Sequence, residues 1–416
     1  MNFNKPRGTK DWYGDEIYKL NEIRSILGTF LNSYCFTEII TPTFENADLF
    51  NKSIGDATDI AQKELYVFND KKDRIMALRP EGTSGVVRAY VENKLYANKN
   101  EPTKLGYFLN LFRYERPQNG RLREFHQFGV EYLNINSELY DIECLILASN
   151  IIKKFGLENS IKLKINYLGN FVQRSKWMEK LTTYFENYKD KLSLDSINRL
   201  YKNPLRILDD KIDGKLDFVK SAPKLKEFLT SDDNECFGNI LKALQQEQIS
   251  YIIDDSLVRG LDYYTGLVFE FVYMNLDGEE LTLIGGGRYS NLVKQTGGPD
   301  HIGLGFAIGI ERLMMVLDNI NYPYSYRTSI DIVLGASNYN SYLKALHFAS
   351  ILRQQGYIVD LNLTNYKKDN CFKFAVKRKA NYFIFINDNE ISVENLLSKT
   401  HNLVHNLDEI ISIIQE

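Results

Sequence analysis

Cysteine is scarce and scattered. The chain has four, Cys35, Cys144, Cys236 and Cys371, and none stands at Cys-x-x-Cys or Cys/His zinc spacing. The sequence therefore points to reduced thiols rather than a disulfide framework or a ribbon-type zinc site. Histidine is nearly as rare, at five residues. His401 and His405 stand four apart, as on one helix face, but without a third ligand nearby no metal site made of protein side chains alone is expected. No apolar run approaches the ~20 residues that cross a bilayer, and no membrane partner is expected. The opening MNFNKPRGTKDWYGDE is polar and has no apolar signal core, which makes the cytoplasm the expected location. An excess of positive charge is missing too. Lys and Arg total 51 against 54 Asp and Glu, a formal net charge of −3. That argues against coating nucleic acid indiscriminately but leaves room for a local basic patch. No GxxxxGK[ST] loop occurs, and Gly303, Gly305 and Gly309 do not make GxGxxG, so any nucleotide site is neither Walker- nor Rossmann-type.

What is present is an ordinary globular composition, 44% hydrophobic and 25% charged over 416 residues, long enough for two or three domains. Residues 15–33 carry Ile17, Leu20, Ile23, Ile26, Leu27, Phe30 and Leu31 at helical spacing. A β-branched strand is expected over 36–42, ending at Pro42. Residues 171–250 turn to Lys-, Leu- and Asp-rich helical segments. From residue 330 strands alternate with helices. Strands are expected at 331–334, 357–361 and 382–386, and helices around Tyr342, Leu346, Ala349 and Leu352 and over 373–379. This pattern predicts a small α/β domain with a largely parallel sheet. Lys373, Lys377, Arg378 and Lys379 could meet RNA phosphates or simply solvate a helix.

The most informative stretch is LGYFLNLFRYERPQNGRLREFHQFGVEY, residues 105–132. It reads as two strands broken by the polar loop RPQNG at 116–120. Alternation places Arg113 and Glu115 on one face of the first strand. On the second it places Phe125, Gln127, Gly129 and Glu131 together, with Phe128, Val130 and Tyr132 on or beside the apolar side. Such a face is either a solvated sheet surface or the floor of a site for a charged ligand.

Several blocks carry a resemblance. Residues 112–132 resemble motif 2 of the class II aminoacyl-tRNA synthetases in its histidyl form. LRPEGT at 78–83 is similar to that family's amino-acid pocket strand, and LVRGLDYY at 257–264 resembles the peptide specific to histidyl-tRNA synthetases. GGGRY at 285–289 resembles their second signature, and GLGFAIGIERL at 303–313 resembles class II motif 3. RGTKD at 7–11 and the helix, strand and Pro42 before residue 43 resemble the family's first block and motif 1. The blocks follow the family's order. HIGL at 301–304 is similar to the class I HIGH tetrapeptide, but it lacks the final His and has no KMSKS-like partner.

The resemblance implies an α/β protein. An α+β catalytic domain with an antiparallel sheet of class II type would fill residues 1–325, with a helical insertion at about 171–250 that clasps the acceptor stem. An α/β anticodon-binding domain would fill 330–416. It implies ATP-dependent ligation of L-histidine to tRNA(His) through histidyl-adenylate, Mg2+ arriving with ATP, and a homodimer built on the motif 1 region.

Adenylation needs fixed positive charge around a phosphate, which suits arginine's planar fork. The resemblance gives Arg113 to the α-phosphate, Arg259 to the same phosphate from the opposite side, and Arg312 to the γ-phosphate. Arg121 would hold the outer phosphates, Glu115 the ATP base or magnesium, and Phe125 would stack on adenine. Neutral imidazole has one donor and one acceptor nitrogen. The resemblance gives these to Glu131 and Tyr264, the ammonium group to Glu81, Thr83 and Gln127, and the pocket wall to Tyr263 and Tyr289. Arg116 and Gln118 would read the acceptor end. Two other readings belong to the same fold: the regulatory subunit of ATP phosphoribosyltransferase, a non-catalytic paralogue, and a tRNA-sensing module of a stress kinase.

Overall fold

The helically spaced apolar residues near the N-terminus fold as α1 (Asp15–Ser33), which buries Leu20, Ile23, Leu27 and Leu31. The computed structural model describes residues 3–55, 58, 60–97, 101–118, 120–208, 210, 212–258, 263–275, 278, 280–325, 330–364 and 366–415. The strand expected over 36–42 is shorter, with only β1 (Thr37–Glu38) in the ladder. Past Ile39 the chain leaves the sheet, because the Arg79 guanidinium takes the Thr41 and Pro42 carbonyls at 2.5 and 3.3 Å in place of a strand neighbour.

Next come β2 (Phe44–Asn46), α2 (Ala47–Ile54), β3 (Val67–Asn69) and β4 (Ile75–Leu78), whose strands form a small antiparallel sheet ordered β2-β4-β3. The 78–83 block is not a strand throughout. Its ladder ends at Leu78, Pro80 has no N–H to offer, and Thr83 already opens α3 (Thr83–Glu92).

A long hairpin follows, β5 (Thr103–Phe112) and β6 (Glu124–Leu133), then α4 (Leu139–Lys154) and β7 (Ile161–Tyr167). The helical segment expected after it holds α5 (Phe171–Glu186), α6 (Leu194–Leu200), α7 (Leu205–Leu208), α8 (Asp217–Lys220) and α9 (Ser231–Gln246). The chain returns through β8 (Tyr251–Ile253), β9 (Tyr264–Met274) and β10 (Glu280–Tyr289). It closes the sheet with α10 (Leu292–Gln295), β11 (Gly303–Gly309) and α11 (Ile310–Asn319). The eight strands are ordered β1-β5-β6-β11-β10-β9-β7-β8. Pairing is parallel only at the two edges, β1 with β5 and β7 with β8.

One face of this sheet buries Phe128, Val130, Tyr132, Ile165, Phe269 and Ile308 against α1, α4 and α11. The other face carries Tyr107, Leu109, Tyr264, Val268 and Tyr289, with Val86 and Val87 of α3 and Trp177 and Leu181 of α5 in the same cluster. Two adjoining cavities open on this second side.

By contact the chain divides into two compact units, Met1–Tyr324 and Ser325–Glu416. The second contains β12 (Ile332–Ala336), α12 (Tyr339–Gln354), β13 (Val359–Leu361), α13 (Lys368–Lys377) and β14 (Tyr382–Ile386). It ends with β15 (Ile391–Asn395), β16 (Thr400–Val404) and α14 (Leu407–Gln415). Here the sheet is mixed rather than largely parallel. β12 pairs in parallel with β13 and β14, but β14, β15 and β16 form an antiparallel meander that the sequence reading lacked. The buried stripe of α12 runs through Tyr342, Ala345, Phe348, Ala349 and Leu352, and Leu346 is exposed. The histidine pair is not helical: His401 lies in β16 and His405 just beyond it. Among the described residues no cluster of three His, Cys, Asp or Glu side chains could hold a metal ion. No described helix is long and apolar enough to cross a membrane.

Candidate functional site

Alternation along β6 builds the floor. Phe128, Val130 and Tyr132 point into the core, so Phe125, Gln127 and Glu131 face the opposite side, where all three line cavities. On the partner strand the expected pattern fails at one point. β5 ends at Phe112, and Arg113 and Glu115 lie in the loop beyond it. The Arg113 N–H still bonds the Arg123 carbonyl at 2.9 Å, but the Tyr114 N–H turns to the Glu64 carbonyl at 2.7 Å and draws the chain off the ladder. The loop closes on itself through two backbone bonds between Gln118 and Arg121 (3.0 and 2.9 Å). Gly120, at φ +72°, makes that turn.

A small cavity is lined by Glu81, Thr83, Gln127, Glu131, Tyr263, Tyr264 and Tyr289, with Arg113 also on its wall. Glu131 is only 2% exposed and accepts from Thr83 Oγ1 at 2.6 Å and from the Tyr289 hydroxyl at 2.8 Å. Burial outweighs these two donors and pushes its carboxyl up to about 8. Burial likewise holds the hydroxyls of Tyr263 and Tyr289 well above the usual phenol range. Glu81 accepts the N–H groups of Thr83 and Ser84, both at 2.7 Å, and the Ser84 hydroxyl. It thereby satisfies the first turn of α3 and fixes the corner that the sequence reading treated as strand.

Glycines make the room. A methyl group on Gly305 would lie 2.2 Å from Glu131 Oε2, and one on Gly129 would lie 2.3 Å from the Tyr107 hydroxyl. Tyr107 is a residue the sequence reading missed. Fully buried on β5, its hydroxyl donates to Gln127 Oε1 at 3.2 Å.

A second, larger cavity is lined by Glu115, Arg121, Phe125, Glu311 and Arg312. Arg113, Gln127, Gly285 and Ala307 line both cavities, so the two adjoin. Arg113 stands at that seam. Its Nε donates to the Pro80 carbonyl at 2.8 Å, and its guanidinium lies 5.5 Å from the Phe125 ring centre. Burial lowers its pKa, and it lowers that of Arg312 too, aided there by the like charges of Arg121 and Arg113. Three arginines around one cavity make it a place for several negative charges. Arg312 Nη1 donates to the Thr282 carbonyl at 3.0 Å, and Arg121 stands 3.6 Å from the Glu115 carboxylate. Glu311, also unremarked in the sequence, is engaged with His126. It accepts from that residue's N–H at 2.9 Å and pairs with its Nδ1 at 2.9 Å.

Arg116 and Gln118 lie exposed on the loop and line neither cavity. Arg259 falls in 259–262, outside the described residues. Arg288 of the GGGRY block turns away, pairing with buried Asp141 of α4.

The sequence matches the histidyl-tRNA synthetase family model over residues 8–313. The chain belongs to that family. A histidine–tRNA ligase of Malacoplasma penetrans is 44% identical over 98% of this chain and 95% of its own. One from Ureaplasma urealyticum is 43% identical over 98% of each. The crystal structure of apo S. aureus histidyl-tRNA synthetase is similar over 100% of both chains, with a TM-score of 0.84 at 32% identity. The eight-stranded sheet is thus the class II synthetase sheet of a histidyl-tRNA synthetase family member, and its two adjoining cavities lie on motif 2 and motif 3 residues.

Proposed function

We propose that this chain ligates L-histidine to tRNA(His) through histidyl-adenylate, with ATP as the energy source. The observation that carries this reading is the pair of adjoining cavities, one small and carboxylate-bearing, one larger and arginine-lined, with Arg113 at the seam. The small one takes histidine. Glu131 and Tyr264 meet the two ring nitrogens, Glu81, Thr83 and Gln127 hold the ammonium group, and Tyr263 and Tyr289 close the wall. A side chain lacking either ring nitrogen leaves buried groups unpaired, which is a strong basis for discrimination. The histidine carboxylate then points toward Arg113 and the larger cavity.

There ATP lies with adenine against Phe125 and its outer phosphates toward Arg121 and Arg312. A carboxylate oxygen of histidine attacks the α-phosphorus, the bond to the β-phosphate oxygen breaks, and pyrophosphate leaves. Negative charge grows on the α-phosphate oxygens, and Arg113 is already aimed at it, so little reorganisation is needed. By its place in the family pattern, Arg259 reaches the same phosphate from the other side. Glu115 is the carboxylate that would hold a magnesium ion carried in on ATP's own phosphates. The ion supplies positive charge for the departing pyrophosphate. In the second step a terminal ribose hydroxyl of tRNA attacks the acyl carbon and AMP leaves, with Arg116 and Gln118, exposed on the loop, placed to meet the acceptor end.

The 330–416 region is read as the anticodon-binding domain, the α5–α9 helices as the acceptor-stem clasp, and the cytoplasm as the location. A homodimer is part of the same reading. By strand register Phe44, Phe68, Met76 and Leu78 share one face with Asn46 in the small sheet that follows β1 in the chain, and Phe44 and Phe68 are 52% and 40% exposed. An apolar face of this kind suits a second copy. The test is charging of a tRNA(His) transcript with labelled histidine. Stable histidyl-tRNA supports the reading; a folded protein that charges nothing supports the regulatory paralogue instead.

A further inference from the structure

The end of β7, the start of α5 and the connection between them bond the backbone of Leu257, Tyr264 and Gly266. The Asn166 side-chain amide donates to the Leu257 carbonyl at 3.1 Å. Arg174 Nη1 donates to the Tyr264 carbonyl at 3.1 Å. Between them the Leu168 N–H bonds the Gly266 carbonyl at 2.6 Å, and the Gly266 N–H bonds the Gly169 carbonyl at 2.7 Å. Asn166 and Arg174 are only 6% and 9% exposed, so water competes poorly for these bonds.

This set of bonds is continuous with the helical insertion. Arg174 sits in the first turn of α5, whose N-terminus is fixed by a reciprocal cap between Asn170 and Gln173. Gln173 also bonds Asp233 of α9, and Trp177 Nε1 donates to the Pro223 carbonyl at 2.8 Å. A shift of α5 therefore reaches the backbone that carries the Tyr264 ring. That ring is 6% exposed and lines the small cavity.

We infer that Asn166 and Arg174 are positioning residues that set Tyr264 in the amino-acid pocket, and that the helical insertion acts on the adenylation site through them. Neither lines either cavity. The inference rests on the reading of the small cavity as the histidine pocket. It gives the insertion a route to the chemistry that needs no contact of its own with histidine or ATP.

The experiment is histidine-dependent ATP–pyrophosphate exchange with full-length protein, comparing wild type with Arg174→Met, Arg174→Lys, Asn166→Asp and Trp177→Phe. Asn166→Asp keeps the oxygen that accepts the Tyr167 N–H at 2.8 Å and puts a carboxylate oxygen in place of the amide donor to the Leu257 and Asp255 carbonyls. Arg174→Met and Asn166→Asp should each lower kcat/KM for histidine by roughly 10- to 100-fold, the cost of a small misplacement. The KM for ATP should stay within about twofold. Arg174→Lys, with a donor still present, should recover part of the loss. Trp177→Phe loosens α5 from the rest of the insertion and should lower kcat/KM for histidine by a smaller factor, with the KM for ATP again within about twofold. Equal losses for histidine and ATP, no loss in Trp177→Phe, or unchanged kinetics in the soluble Arg174 and Asn166 variants would overturn the inference. Should Arg174→Met fail to fold, Asn166→Asp alone decides between these outcomes. Absence of exchange already in the wild type would instead remove the pocket reading, and the inference with it.

Discussion

Glu131→Gln should make the protein more stable at alkaline pH and leave it nearly unchanged in acid. Among the described residues the buried Glu131 carboxyl accepts from two neutral hydroxyls and has Glu81 nearby, and burial pushes its pKa up from 4.5 to about 8. A group whose folded pKa lies above its unfolded value contributes stability that is fully present below the unfolded pKa. That contribution is lost as pH rises through the folded pKa. For Glu131 the window runs from about pH 4.5 to about pH 8. At about 1.4 kcal/mol per unit, the loss across it is on the order of 5 kcal/mol. Glutamine keeps the shape and carries no such penalty.

The assay is urea unfolding of the two proteins, without ligands, at pH 5 and pH 8.5, followed by tryptophan fluorescence. The chain's two tryptophans, Trp12 and Trp177, both lie in the first compact unit, so the signal reports on the unit that holds Glu131. The free-energy difference between variant and wild type should move by several kcal/mol in favour of glutamine between the two pH values. An equal difference at both would refute the reasoning, because it would mean that Glu131 ionises in the fold as readily as in water.

Arg113→Ala should cut exchange by about 10²–10³-fold, the loss of one preorganised donor, measured as kcat for adenylate formation. Arg259→Ala should fall in the same range by the role that the family pattern gives it, and near-intact adenylation would remove it from the mechanism. Gly305→Ala pushes a methyl to 2.2 Å from Glu131 Oε2 and 2.3 Å from the Val130 carbonyl. It should lower the melting temperature by overpacking worth about 1–3 kcal/mol and raise the KM for histidine more than that for ATP. Tyr107→Phe keeps the ring and removes the donor to Gln127, so KM for histidine should rise by roughly 3- to 10-fold with ATP unaffected, the worth of one hydrogen bond.

Local periodicity made the β6 floor of the site legible, while Glu81, Thr83, Tyr263, Tyr264, Tyr289 and Arg312 were named from the family resemblance. Strict alternation from Phe125 to Tyr132 sorted ligand face from core face, and the structure keeps that division. Long-range bonds set the rest. β5 stops short of Arg113 because the next N–H finds Glu64, and the LRPEGT block turns a corner because Glu81 satisfies a helix start. Neither partner can be read from neighbouring residues. Tyr107 escaped notice for a different reason: it alternates with Leu105, Leu109 and Leu111, and a tyrosine in such a row looks like core until its hydroxyl is placed. In the second unit, four of the five residues of β16 are exposed, so no apolar alternation announces the strand. His401 and His405 were therefore open to a helical reading that the ladder rules out.

The most direct test of the central claim is ATP–pyrophosphate exchange by the purified protein, screened against each of the standard amino acids. The account predicts exchange with histidine and none with the others. No exchange from folded protein, or exchange with a different amino acid, would contradict it.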